Sequence, residues 1–141
     1  MKSSWLPYAL GSALFAALTA IFGKIGVESI NSNLATFVRT VVILIMTALI
    51  LTFRHEWQRP QNLSGRAAAF LLLSGLATGL SWLCYYRALQ LGPASRVAPI
   101  DKLSVALAMI LAIVFLKEPW TASSLLGGGL IIAGSLVLAL S

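Results

Sequence analysis

The chain has 141 residues, of which 59% are hydrophobic and only 10% charged, with a formal net charge of +6. Soluble proteins average about 45–50% and about 25%, and a soluble domain of this length has too little interior to hide so much apolar surface. Composition thus excludes an ordinary water-soluble domain, and cations scattered singly among apolar runs, with no basic cluster or RNA-binding aromatic motif, argue against nucleic acid as a partner.

A membrane-spanning helix needs about 20 apolar residues at a rise of about 1.5 Å per residue. The first such run extends from about Trp5 to Val27, with Pro7 in its first turn, where a missing N–H does least harm. Lys2 ahead of it gives the look of a signal peptide. The run is longer than an h-region of about 7–15 residues, so a retained first span is expected. The second span covers about Asn33 to Phe53, after the turn-like Asn31-Ser32-Asn33. Arg54 to Asn62 forms the one hydrophilic loop. The third span runs from about Ser64 to Leu91 and stops at Gly92-Pro93. The fourth covers about Ala94 to Leu116, and after the turn Lys117-Glu118-Pro119-Trp120 the fifth runs from about Thr121 to Leu140. The expected fold is an all-α integral membrane protein, a bundle of five transmembrane helices making one domain over residues 1–141.

An odd number of spans puts the termini on opposite sides. Lys2, Arg54, Arg59, Arg66 and Lys117 fall on the side of Met1; Lys24, Arg39, Arg87, Arg96 and Lys102 fall on the other, five against five. Counting loop charges alone makes the Met1 side cytoplasmic, with a margin small enough to leave insertion in both orientations open.

The embedded charges are not spread evenly. Lys24, Arg39, Arg87, Asp101 and Lys102 all fall in the half of the membrane away from Met1. Arg39 and Asp101 lie about 6–10 Å inside their helices. A charge at the bilayer centre costs at least about 2.5–3.5 kcal/mol, so deep ones face partners or water. Asp101 is the one acid at this depth, with Arg39, Arg87 or Lys24 as partners; Lys102 should point about 100° away from it. Lys24 and Arg87 can equally snorkel to the interface. For Arg39 and Asp101 a polar cavity is expected, a structural ion pair being the alternative.

Pro99 cannot donate to the carbonyl of Ser95, and broken backbone beside intramembrane charge recurs at transporter sites. The same proline can equally be a simple early-helix kink. Thr78, Trp82 and Tyr85 recur at helical spacing with Tyr86 beside them, either as interfacial anchors or as a surface for stacking a solute. Thr19 and Gly23 could face the same cavity. Gly75 and Gly79, and Gly127 to Gly129 with Ala133 and Gly134, permit close helix approach. The last span has no ionisable residue and suits scaffolding or subunit contact.

Signatures of catalysis are missing. The single Cys84 gives neither an internal disulfide nor a cysteine zinc cage, His55 is the one histidine, and the acids Glu28, Glu56, Asp101 and Glu118 are dispersed. Nothing implies a cofactor or a metal, and an enzyme acting on a lipid is a distant alternative.

Gly23-Lys24-Ile25-Gly26-Val27, Ser32 to Thr36 with Arg39-Thr40, Tyr85 to Gln90, Ala94 to Pro99 and Asp101-Lys102-Leu103-Ser104 resemble the small bacterial EamA-domain proteins, as do Glu118 and the closing glycines. The resemblance covers essentially the whole chain. It implies the drug/metabolite transporter superfamily, whose larger members carry two inverted repeats in ten helices; this chain supplies one. The small multidrug relatives use an acid in their first helix, which this chain lacks.

The expectation is a secondary transporter of small metabolites, anionic or zwitterionic, in a bacterial inner membrane. It would work as a dimer with a second copy of itself, antiparallel or parallel, or with another half-size subunit. Lys24, Arg39 and Arg87 would supply positive character, Asp101 would hold one of them or exchange protons, and Lys102, Trp82, Tyr85 and Pro99 would complete the solute pathway. The alternative is a non-transporting scaffold or accessory subunit with structural ion pairs.

Overall fold

The computed structural model describes residues 5–58 and 64–140. Lys2 and Arg59 of the charge balance, and the Pro60 to Asn62 part of the hydrophilic loop, lie outside the described residues. Among the described residues every element is helical: α1 (Leu6–Gly26), α2 (Ser32–Phe53), α3 (Gly65–Leu91), α4 (Ala94–Asp101), α5 (Leu103–Leu116) and α6 (Ala122–Leu140). Taking α4 and α5 as one 23-residue span, five segments are long and apolar enough to cross a membrane. The protein is an all-α integral membrane protein with five transmembrane spans.

Local chemistry sets the helix ends. Asn31 caps α2: its side chain accepts the Asn33 N–H at 2.8 Å, satisfying one of the orphan donors of the first turn. That cap starts α2 at Ser32, one residue before the expected Asn33. Ser64 serves α3 likewise, accepting from the Ala67 N–H at 3.2 Å. At α6 the caps are reciprocal, Ser124 N–H to Thr121 Oγ1 and Thr121 N–H to Ser124 Oγ, both at 3.1 Å. Gly92-Pro93 separates α3 from α4 as expected.

The fourth span departs from a simple rod. Pro99 lacks the N–H that would complete the ladder, and three residues later the Lys102 N–H is shared between the carbonyls of Ala98, at 3.3 Å, and Pro99, at 3.1 Å. Val105 N–H then reaches Lys102 O at 3.0 Å in another tight turn. The ladder thus shortens from four-residue to three-residue steps, and α5 restarts at Leu103.

The described residues form two compact units, Phe22–Gln90 and 5–21 with 91–140. In the second, α6 packs on α4 and on α5. Buried apolar side chains are few, whereas Phe15, Phe53 and Phe115 are 68%, 80% and 74% exposed. Such exposure would drive aggregation in water; among acyl chains it carries no penalty.

Candidate functional site

Within Phe22–Gln90, α2 and α3 build a cation–aromatic arrangement around Arg39. The Arg39 guanidinium carbon lies 4.0 Å from the centroid of the Trp82 ring and 5.3 Å from that of Tyr86. Trp82 and Tyr86 stand four residues apart on α3 and so share one face. Tyr85, half-buried beside them, presents an edge-to-face contact to Tyr86, with centroids 6.2 Å apart at 66°. Sequence periodicity grouped Trp82 with Tyr85; the guanidinium is met by Trp82 and Tyr86.

Arg39 is half-buried beside these rings. Among the described residues no carbonyl, hydroxyl or carboxylate accepts a hydrogen bond from its guanidinium. Ring contacts of this kind contribute about 0.5–2 kcal/mol, against at least about 2.5–3.5 kcal/mol for an arginine at mid-membrane. The rings supply no oxygen acceptor, so the fork of N–H donors needs acceptors from water, lipid or a ligand. That fork matches a carboxylate or phosphate bidentately.

Lys24 and Arg87 are held differently. The Lys24 ammonium donates to Leu89 O at 2.7 Å, in the last turn of α3, where carbonyls lack helical partners and the helix dipole is negative. Arg87 donates from Nη1 to Gln90 Oε1 at 2.7 Å, and Gln90 Nε2 donates in turn to Ile30 O at 3.0 Å and Val27 O at 3.3 Å. Gln90 is therefore a junction that links Arg87 to the end of α1. It was legible only as part of the family-like Tyr85 to Gln90 stretch. The usable signal is an amide one turn after an arginine, just before a Gly-Pro stop, able to donate and accept at once.

Small contacts complete this unit. A Cβ at Gly23 would stand 3.1 Å from Tyr86 Oη and 3.2 Å from Tyr86 Cζ, so α1 and α3 meet where Gly23 has no side chain. The Thr78 hydroxyl donates back to Ser74 O at 2.9 Å.

Pro99, Asp101 and Lys102 belong to the other unit. Asp101 Oδ2 lies 3.5 Å from Lys102 Nζ, with the side chains 36% and 53% exposed. This corrects the expectation that Lys102 points away from Asp101. The 100° rule gives the directions of Cβ atoms in a continuous helix, whereas the helix is interrupted at Lys102 and a four-carbon stem is long enough to span the angle to its neighbour. Between α5 and α6 lies a cavity of about 280 Å³ walled by Met109, Ile113, Trp120 and Ile132 among others, with no ionisable group.

Residues 3–140 match the EamA-like transporter family. A Sinorhizobium protein named as an uncharacterized transporter in the cobO 3' region is 53% identical over 139 residues, covering 99% of both chains. An uncharacterized protein of Methanocaldococcus jannaschii is 28% identical, covering 92% of this chain and 91% of its own. A human member of solute carrier family 35 is 32% identical over 131 residues, which is 90% of this chain and 34% of the human one. No solved structure matches. With a family match over nearly its whole length and five membrane-crossing segments, the chain belongs to the EamA-like transporter family.

Proposed function

We propose that this chain is a half-size secondary transporter of small carboxylate-bearing metabolites, anionic or zwitterionic, in a bacterial inner membrane. The observation that carries the reading is Arg39: a guanidinium within a spanning helix, set over the Trp82 ring and without a hydrogen-bond acceptor among the described residues. In this reading Arg39 grips the carboxylate, Trp82 and Tyr86 hold the guanidinium plane, and Tyr85 backs Tyr86. Lys24 and Arg87 add positive potential at the same end of α1 and α3. Asp101 with Lys102, beside the break after Pro99, serves as the charge pair that changes partner during the transport cycle.

The single domain of residues 1–141 supplies one repeat, and alternating access about a midplane site uses two. A second copy of the chain completes the transporter in this proposal, inserted antiparallel in keeping with the five-against-five cation balance. Reporter fusions at both termini test the arrangement: both orientations in one cell are expected, and one fixed orientation eliminates dual insertion.

Transport is tested by uptake of glutamate, succinate and lactate, against amines of similar size, into liposomes holding purified protein. Carboxylate uptake should be lost in Arg39→Ala, and its retention there would sink the assignment. The rival reading, a non-transporting accessory subunit, is favoured by the bonds of Lys24 and Gln90 that fasten α3 to the end of α1. It predicts no solute movement under any gradient.

A further inference from the structure

We infer that Gly23 is a positioning residue for Arg39, acting through Tyr86; its consequence for transport rests on the carboxylate-binding role proposed for Arg39. The chain of contact is short. Tyr86 is 5% exposed, and its phenol end occupies the space where a side chain at residue 23 would begin, 3.1 Å from Oη and 3.2 Å from Cζ. The centroid of the same ring lies 5.3 Å from the Arg39 guanidinium carbon.

The ring has little room to yield. Leu89 is fully buried and its Cδ1 would lie 3.4 Å from the same Cβ, and Tyr85 stands edge-on to Tyr86. The two helices cannot simply part, because Lys24 is bonded to Leu89 O while Gln90 is bonded to Val27 O and Ile30 O. A methyl group at residue 23 therefore moves Tyr86, and with it the support of the guanidinium. Gly26 provides the contrast. It lies one turn further on the same helix, and a Cβ there would meet nothing within 4 Å. Gly23→Ala, inside the helix, gains at least as much helix propensity as Gly26→Ala at its last residue, so a loss confined to Gly23→Ala reports the contact and not the helix.

The test uses the full chain with Trp5, Trp57 and Trp120 replaced by Phe, leaving Trp82 as the sole indole. Gly23→Ala should change the Trp82 emission maximum and its quenching by acrylamide. It should also raise KM for glutamate or succinate about 10-fold with little change in maximal rate. Gly26→Ala should do neither. Adding Tyr86→Phe to Gly23→Ala removes the 3.1 Å hydroxyl contact and should restore part of the wild-type emission. Wild-type emission in Gly23→Ala, or equal change in Gly26→Ala, overturns the inference. If Gly23→Ala does not accumulate in the membrane, recovery of accumulation by Tyr86→Phe supports it and failure of the double variant overturns it. Carboxylate transport that survives Arg39→Ala removes the proposed function instead, while the Trp82 signal still decides the positioning role.

Discussion

The two units solve the same problem, holding apolar helices together in lipid, by different means. In Phe22–Gln90 the helices are joined by directional contacts: Lys24 on the Leu89 carbonyl, Gln90 on the carbonyls of Val27 and Ile30, and Arg39 on Trp82 and Tyr86. In the unit containing α4 to α6, a Cβ at Gly128 would touch the Met109 thioether beside a cavity whose lining has no ionisable group, the Asp101–Lys102 charge pair joins sequence neighbours, and Arg96 also has a partner. Hydrogen bonds in a low-dielectric medium fix one geometry, whereas small-residue and methionine contacts tolerate sliding. The first arrangement suits a site that must hold a ligand in one pose, and the second suits a surface that changes its packing.

That contrast is best broken at Arg39. Arg39→Ala should lower initial carboxylate uptake by about 100-fold or more, and Arg39→Lys should recover only a fraction because an ammonium lacks the planar fork. Met109→Leu, a volume-conserving change in the α5–α6 cavity, should alter uptake less than about 2-fold. Equal effects would erase the distinction between the units.

Next in size is Gln90. Gln90→Leu removes the acceptor of Arg87 and the donor to two carbonyls of the α1 end, and at about 1 kcal/mol for each should cost about 2–3 kcal/mol. The measurement is unfolding in detergent by a graded denaturant. Gln90→Glu keeps the Arg87 contact and loses the donor, so its midpoint should fall between Leu and wild type. Gly128→Ala should be milder, below about 1 kcal/mol, because a Cβ there makes ordinary 3.5 Å contact with the flexible Met109 side chain.

The smallest expected change is a gain. Lys117 ends α5 in the left-handed region at φ 55°, where a Cβ is strained. Lys117→Gly should stabilise the α5–α6 turn by up to about 1 kcal/mol in the same unfolding experiment, with transport unaltered.

The spans were legible because each apolar run is bounded by a chemical stop: Asn31 before α2, Gly92-Pro93 after α3 and the Lys117 to Trp120 turn before α6. The family resemblance was legible for the same reason, since its motifs cluster at those helix ends. The site was only partly so. Periodicity tells which α3 residues share a face, but Tyr85 and Tyr86 differ by one position, and only the packing against Gly23 and Arg39 separates their roles. Gln90 carries no charge and so gave no electrostatic signal. The Asp101–Lys102 pair is not legible from helical spacing, because the ladder shortens through those residues.

The broken fourth span also bears on how the chain enters the membrane. Eight residues of α4, including Arg96 and Asp101, are too few and too polar for the insertion machinery to retain, and the 14 residues of α5 fall short of the roughly 20 that cross a bilayer. Only in series do they reach a length that inserts, 23 residues. Adjacent Asp101 and Lys102 then enter as a neutral pair, and removing either charge leaves the other to be desolvated alone. Asp101→Asn should therefore reduce the yield of membrane-integrated protein during synthesis, before any transport cycle begins.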